Sequence, residues 1–95
     1  MDETMLRKAH CLLHPVRYRL VELIREKPRY INELTKLVKD ERRLVTYHLQ
    51  ALEDAGLVTS HYEISEAPKS RGKATRIYEA TDNVDAVIQQ LNALT

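Results

Sequence analysis

Side chains able to contact a nucleic acid are concentrated in one short segment, residues 42–50. Arginine can form paired hydrogen bonds with guanine, glutamine can form them with adenine, and threonine can reach a base or a phosphate. Five side chains are expected to point outward there: Arg42, Arg43, Thr46, Tyr47 and Gln50. Two arginines at the start of a solvent-facing helix are common in proteins, so this set needs support from the surrounding elements.

A second group of cations follows in a polar segment that contains a proline and a glycine. Lys69, Arg71, Lys73 and Arg76 have no acidic residue among them, and no lysine or arginine occurs after them. The net charge is only +1, but local charge matters more than total charge for attracting a polyanion. The first three are expected to contact DNA phosphates, although such a cluster is also common in solvated turns.

The hydrophobic pattern predicts three helical runs ahead of these cations. The runs cover approximately residues 5–25, 31–38 and 42–55. Pro15 is expected to start a new helix within the first run, because proline fits a first helical turn and disrupts an interior. Gly56 is expected to end the third helix, in the position that glycine favours. Asp40 or Glu41 is expected to cap the start of that helix.

Two strands and a last helix are predicted in the remainder of the sequence. Residues 57–64 and 74–80 carry valine, threonine, tyrosine and isoleucine, which favour strands, and the polar loop between them makes the pair a hairpin. Residues 81–94 have the apolar spacing of an amphipathic helix. This order of elements predicts a winged helix-turn-helix fold, mainly α with a small β-hairpin (α+β).

A chain of 95 residues suits one compact domain. We expect residues 14–80 to form its winged-helix core, and residues 1–13 and 81–95 to form dimerisation segments. Small domains are often stabilised by oligomerisation, and a terminal helix with an apolar face needs a partner. The expected contacts of a homodimer are Leu6, Leu13, Val84, Val87, Ile88 and Leu91. The alternative is that the last helix folds back on its own domain.

The sequence of residues 14–81 resembles the ArsR-like regulators of prokaryotes. The segment VTYHLQALEDAGLV, residues 45–58, is the strongest match. This family typically has serine, any residue, His-Leu, two residues, Leu and then Ala-Gly-Leu-Val at that place. HPVRYRLVELI, NELTKLV and IYEATD are similar to the family's first helix, second helix and closing strand. The departures are Lys39, where a turn glycine is usual, and Asp40-Glu41, where a small polar cap is usual.

The resemblance implies a transcriptional regulator that binds double-stranded DNA as a homodimer, and we expect repression as its mode of action. The recognition helix, about residues 42–55, is expected in the major groove, and the wing, residues 65–73, on the flanking groove or the backbone. The match also suggests that His48 is packed or faces a phosphate and does not read a base. The alternative function is a winged-helix protein–protein adaptor that does not bind DNA.

No metal ion or cofactor is expected. Metal-sensing members of the family use a Cys-X-Cys pair, or carboxylates and histidines on the last helix, and neither pattern occurs in this sequence. His10, Cys11 and His14 are an incomplete set of ligands for zinc or copper. Cys11 is instead expected to be a small buried residue of the dimer interface, and a disulfide between two copies is the alternative.

Other functional classes lack a pattern of their own. No nucleophile, base and orienting group occur in a recognisable arrangement, so an enzyme is not expected, and His61 is interpreted as a surface residue. No apolar run approaches the roughly 18 residues of a membrane span, and the acidic start of the sequence argues against a secretory signal. Because there is a single cysteine, the expected location is the cytoplasm.

Overall fold

The computed structural model describes residues 1–64 and 72–94. In these two stretches the chain forms five α-helices and three β-strands. In chain order they are α1 (Glu3–Leu12), α2 (Pro15–Glu26), β1 (Arg29–Tyr30), α3 (Ile31–Val38), α4 (Arg42–Asp54), β2 (Val58–Ile64), β3 (Ala74–Ala80) and α5 (Asp82–Ala93). The predicted helices and hairpin strands are confirmed. No helix in either stretch is long and apolar enough to cross a membrane.

The first helical run is divided at the predicted proline. The Asp2 side chain caps α1 by accepting a hydrogen bond of 2.7 Å from the Met5 amide. Pro15 occupies the first turn of α2, and His14 caps this helix because its Nδ1 accepts from the Val16 amide at 3.2 Å. Two separately capped helices therefore meet at residues 13–14, and α1 can take its own direction across the domain.

The sheet has the order β1-β3-β2, and both pairs of neighbours are antiparallel. The hairpin register runs from Val58 opposite Ala80 to Ile64 opposite Ala74. The short strand β1 was not expected from the sequence, because two residues are too few to show an alternating pattern. It adds Arg29 and Tyr30 to the free edge of β3 and joins the end of α2 to the sheet.

The core lies between the helices and the hairpin, and every helix contributes to it. Its fully buried leucines include Leu12 of α1, Leu20 of α2, Leu34 of α3 and Leu49 of α4. The described sequence therefore forms one continuous core in which α4 is held from several directions.

Helix α5 also packs into this core, and this corrects part of the predicted dimer interface. Val84 and Val87 are 1% and 0% exposed and belong to the same buried cluster as the core leucines. Their side chains are covered by their own chain, since α5 packs against α1. The apolar period identified the correct face of the helix. The prediction that Val84 and Val87 contact a second copy was wrong, because the core of their own chain buries them.

Gly56 ends α4 as predicted, with φ +76°. The Leu57 amide donates to the Leu52 carbonyl at 2.9 Å, which is the closing bond of a helix that ends in a left-handed residue. The Gly56 carbonyl then accepts from the Thr81 hydroxyl at 2.6 Å and from the Asn83 side-chain amide at 2.9 Å. The end of α4 is thereby attached to the start of α5.

The predicted cap of α4 is wrong. Glu41 is the N-cap residue, but its side chain makes no capping hydrogen bond. The Asp40 carboxylate accepts from the neighbouring Glu41 amide at 2.8 Å and not from an amide in the first turn of α4. The helix therefore begins without the side-chain cap that a serine or threonine would supply.

Lys39 ends α3 in the left-handed conformation, with φ 55° and ψ 45°. A side chain in this conformation costs roughly 1–2 kcal/mol, whereas the extra freedom of glycine in the unfolded chain costs about 0.4–1 kcal/mol. We expect Lys39→Gly to raise the free energy of unfolding by about 0.5–1 kcal/mol in urea denaturation. Lys39→Ala removes the same charge without relieving the backbone, so an equal gain in both variants would contradict this explanation.

Candidate nucleic-acid interface

Helix α4 is anchored along one side. Val45, Leu49 and Leu52 are 0% exposed and recur at the spacing that keeps side chains on one face of a helix. The buried face fixes the rotation of α4 about its own axis. With 3.6 residues per turn, the directions of its accessible side chains then follow from their positions in the sequence.

The side opposite the core presents Arg43, Tyr47 and Gln50, which are spaced by four and three residues. All three are exposed, and Tyr47 retains 62% of its accessible surface. The Gln50 amide nitrogen donates to the Asp54 carboxylate at 2.9 Å. The sequence prediction that these side chains point outward is confirmed, and Arg42 and Thr46 are exposed as well. Arg43, Tyr47 and Gln50 form a continuous row with a cation, a phenol and an amide that can contact a ligand.

Arg42 and Thr46 occupy a different side of α4, which faces the hairpin. They line a cleft of about 500 Å³ between α4 and the sheet, together with Asn32 of α3 and Lys73. The Arg42 guanidinium donates to the Asn32 side-chain oxygen. The predicted outward set is therefore divided by the fold into an outer row and a pair that faces this cleft.

Arg76 has a structural role that its sequence context does not reveal. Its Nε donates to the Ser60 hydroxyl at 2.8 Å, and its Nη2 lies 3.4 Å from the Glu53 carboxylate of α4. The guanidinium also lies over the rings of Tyr62 and Tyr78, at 5.4 and 5.7 Å from their centroids. These contacts tie β3 and β2 to α4, so Arg76 sets the distance between the hairpin and the helix.

His48 lies on the buried side of α4 and is 9% exposed. Its Nδ1 accepts a hydrogen bond of 3.1 Å from Nε of Arg17 on α2, and its ring centroid is 4.5 Å from that of His14. The Arg17 guanidinium also lies 5.9 Å from the centroid of the Tyr47 ring. Of the two places expected for His48, the structure shows the packed one. Arg17 links α2 to α4 through this contact.

Two of the predicted wing cations, Lys69 and Arg71, lie outside the described residues. Lys73 is described, and its exposed side chain lines the cleft beside α4. Of the three predicted wing cations, Lys73 is the one whose position relative to α4 is described.

Comparisons with known proteins identify the family to which this chain belongs. A family model described as a helix-turn-helix domain matches residues 12–61, more than half of the chain. An uncharacterized HTH-type transcriptional regulator of Methanocaldococcus jannaschii is 31% identical over 78 residues, which are 82% of this chain and 77% of that protein. The chain belongs to the helix-turn-helix transcriptional regulators.

Solved structures with a similar fold include ArsR-like proteins. The regulator superimposes with a TM-score of 0.71 on an ArsR-like transcriptional regulator from Rhodococcus sp. RHA1, at 18% identity, covering 96% of this chain and 78% of that one. A possible transcriptional regulator for arsenical resistance gives a TM-score of 0.71 at 22% identity, with 92% and 82% covered. These likenesses confirm the winged-helix fold, which the chain shares with these two proteins.

Cys11 of the regulator is partly buried against the core of its own chain. Its half-buried thiol lies 3.6 Å from the Ala51 carbonyl of α4 and 3.7 Å from Nη1 of Arg17. The cysteine therefore packs against α4 of its own chain and keeps part of its surface exposed. His10 is exposed, and the His14 side chain caps α2. Within the described stretches no group of three His, Cys, Asp or Glu residues is arranged to hold a metal ion.

The environment of His48 predicts that the stability of the regulator depends on pH. Burial lowers the pKa of His48 below its ordinary value of 6.5, and neighbouring His14 and Arg17 lower it further, against a smaller opposite effect of Asp40. The unfolded chain therefore binds a proton at this histidine at a higher pH than the folded chain does. Its contribution to stability is complete above about pH 6.5 and is lost as the pH falls towards the lower folded pKa.

We expect the free energy of unfolding in urea to decrease between pH 7.5 and pH 5.5, and His48→Gln to reduce this decrease. Glutamine can still accept a hydrogen bond from Arg17, but it does not titrate. His10→Gln serves as the matched control, because His10 is exposed on α1, and should retain the dependence of the parent. An unchanged pH dependence in His48→Gln would assign the effect to other groups.

Proposed function

We propose that this regulator binds double-stranded DNA as a homodimer and represses transcription. Helix α4 lies in the major groove in this proposal, and the wing (residues 65–73) lies on the flanking groove or the backbone. The observation that carries the proposal is the outer row of α4, in which Arg43, Tyr47 and Gln50 stand opposite a fully buried face. A helix held in this way can enter a groove without losing its packing on the domain.

The chemistry of the accessible side chains supports a nucleic-acid ligand. Arginine and glutamine have the paired donors and acceptors that match guanine and adenine in the major groove. Lys73 adds positive charge beside α4, and Lys69 and Arg71 add two more cations to the same segment of the sequence. The net charge of +1 does not oppose this arrangement, because the acidic residues after residue 78 are in a different part of the chain.

The homodimer is supported by exposed leucines on two adjacent helices. Leu6 and Leu13 of the α1 region are 57% and 62% exposed, and Leu94 at the end of α5 is 70% exposed. Ile88 and Leu91 of α5 are half-buried. Because α1 and α5 pack against each other, a second copy could cover the remaining apolar surface of both helices.

The proposal is tested by selecting bound fragments from a random DNA pool and titrating the selected duplex at several salt concentrations. We expect a palindromic consensus, because a two-fold dimer reads two equivalent half-sites. With about six phosphate contacts, the log–log slope of affinity against salt should be roughly −5. Placing the selected site over a promoter should lower transcription from it when the regulator is present.

The wing provides the control for this experiment. Replacing Lys69, Arg71 and Lys73 together by alanine should lower DNA affinity by orders of magnitude and make the salt slope shallower. If the parent binds neither random nor genomic fragments at about 50 mM salt, the proposal is wrong. If the parent and the triple alanine variant then bind protein partners equally well, the alternative hypothesis of a protein–protein adaptor is supported.

A further inference from the structure

The cleft beside α4 is a separate part of the surface from the outer row. It lies between the first turn of α3, the hairpin-facing side of α4 and one face of the sheet, and has a volume of about 500 Å³. Its polar lining includes Asn32, Arg42, Thr46, Tyr62, Lys73 and Thr75. It is bounded on the remaining side by Arg76, which holds β2 and β3 at their distance from α4.

The lining is rich in positive charge and in hydrogen-bond donors. Arg42, Lys73 and Arg76 are its cations, and none of its described residues is an aspartate or a glutamate. Arg76 is already paired with Glu53, so Arg42 and Lys73 supply the charge that can attract a ligand. The hydroxyl of Thr46 adds a neutral donor to the lining. Such a concave surface matches a singly charged anion with several acceptor oxygens.

Asn32 determines where the Arg42 guanidinium points. Its side-chain oxygen accepts a hydrogen bond from Nη1 of Arg42, and both residues line the cleft. An amide orients the guanidinium without neutralising it, whereas a carboxylate at the same place would cancel the charge that an anion needs. Arg42 is thus held in the cleft as a full cation.

The position of Arg42 on α4 separates its role from that of Arg43. Consecutive residues of a helix differ in direction by about 100°, so the two arginines leave α4 in different directions. Thr46 is one turn after Arg42 and lies on the same side, whereas Tyr47 and Gln50 continue the row of Arg43. The outer row can reach base edges while the cleft reaches the strand that borders the groove.

We infer that this cleft binds one backbone phosphate of the DNA duplex. Arg42, Lys73 and Thr46 contact the phosphate, Asn32 is a positioning residue for Arg42, and base reading falls to Arg43, Tyr47 and Gln50. The inference rests on the proposed function, because it assigns a place on duplex DNA to a cleft beside the recognition helix. It gives different roles to the two arginines at the start of α4, which the sequence analysis expected only to contact DNA.

The test compares Arg42→Ala with Arg43→Ala on the selected duplex and on a random duplex, at several salt concentrations. We expect Arg42→Ala to weaken binding to both duplexes by a similar factor and to reduce the salt slope by about one per protomer. Arg43→Ala should reduce the preference for the selected duplex. Thermal unfolding of both variants should match the parent, since the two side chains are exposed.

The positioning role of Asn32 is tested with two substitutions at the same site. Asn32→Ala should lower the affinity for both duplexes, but by less than Arg42→Ala does. Asn32→Asp should lower the affinity by more than Asn32→Ala does, because the new carboxylate neutralises the charge of Arg42. In the Arg42→Ala background, Asn32→Ala should have no further effect. Independent losses from the two changes would contradict the positioning role.

Three results would overturn the phosphate site. If Arg42→Ala lowers the preference for the selected duplex and leaves the salt slope unchanged, Arg42 is a base reader and only this inference fails. If the parent binds inorganic phosphate in the absence of DNA and phosphate does not compete with duplex at equal ionic strength, the cleft is a site for a free anion. If the parent binds no DNA, the proposed function fails and this inference fails with it.

Discussion

A chain that carries Leu6→Asp and Leu13→Asp is expected to sediment at the mass of a monomer and to lose most of its affinity for a palindromic duplex. Both leucines are more than half exposed in the single chain, so the substitutions should leave its fold intact. A charge on this surface removes the apolar contact that a second copy would make and places like charges opposite each other across a two-fold axis.

The expected loss of affinity is large because the two α4 helices of a dimer act on the same DNA molecule. Once one helix is bound, the other meets its half-site at a high effective concentration, which typically increases overall affinity by about 10²–10⁴-fold. A monomer retains the contacts of one half-site and loses this gain. Titration of the palindromic duplex and of an isolated half-site separates the contacts of one helix from the gain that comes from dimerisation. The isolated half-site should bind the parent and the variant with similar affinity.

Ile64→Asp is the matched control for the dimer. Ile64 is 63% exposed but lies at the end of β2, on a different element from the leucines of α1. Its variant should sediment like the parent at micromolar concentration. If the parent itself has the mass of a monomer throughout that range, or if the double variant remains a dimer, α1 does not form the interface.

The sequence predicted the helices of this regulator well, because their boundaries depend on local chemistry. Pro15 and Gly56 mark ends that proline and glycine favour for conformational reasons. Lys39 shows the limit of this reasoning. It adopts the left-handed conformation in which the family usually has glycine. The turn therefore forms at the same place with a lysine in the position of the glycine.

Tertiary contacts were harder to predict, and α5 is the clearest example. Its apolar period places Val84 and Val87 on one face, but a period does not say whether that face meets the same chain or a second one. Cys11 presents the same difficulty, because its burial against α4 depends on how α1 crosses the domain. Strand β1 left no pattern at all, since it consists of two residues.

The residue types of the candidate interface could be predicted from the sequence, but their division into two surfaces could not. Arg42 and Arg43 are adjacent and chemically identical, and both were expected to point outward. The difference between them arises from Asn32 on α3 and from the hairpin, which border the cleft on one side of α4 only. Such a difference depends on how α3, α4 and the hairpin pack against one another, which the local sequence pattern does not show.

Arg29 was also missed by the sequence analysis, and it carries the largest expected effect on stability. The residue is 8% exposed, although arginine is rarely buried unless it is paired. Its Nε donates to the Leu23 carbonyl at 2.9 Å, and its two terminal nitrogens donate to carboxylates of Glu26 and Glu33 at 2.7 Å each. One side chain therefore links α2, β1 and α3.

We expect Arg29→Ala to lower the free energy of unfolding by about 3 kcal/mol, because it leaves the Leu23 carbonyl without this donor and opens a space beside the core. For a domain of this size, that change corresponds to a decrease in melting temperature of roughly 12–24 °C. The measurement is urea denaturation at several protein concentrations, since any dimer contributes to the apparent stability.

Two further variants separate the buried hydrogen bond from the ion pairs. Glu26 is 64% exposed, so Glu26→Gln should cost less than about 1 kcal/mol, as solvent screens the pair that it removes. Arg29→Lys keeps the charge, but an ammonium group cannot reach three partners in the directions of a guanidinium fork. If the lysine variant is as stable as the parent, the charge of Arg29 matters and its geometry does not. A large loss in the lysine variant with a small loss in Glu26→Gln would assign the stability to the geometry with which Arg29 joins α2 and α3.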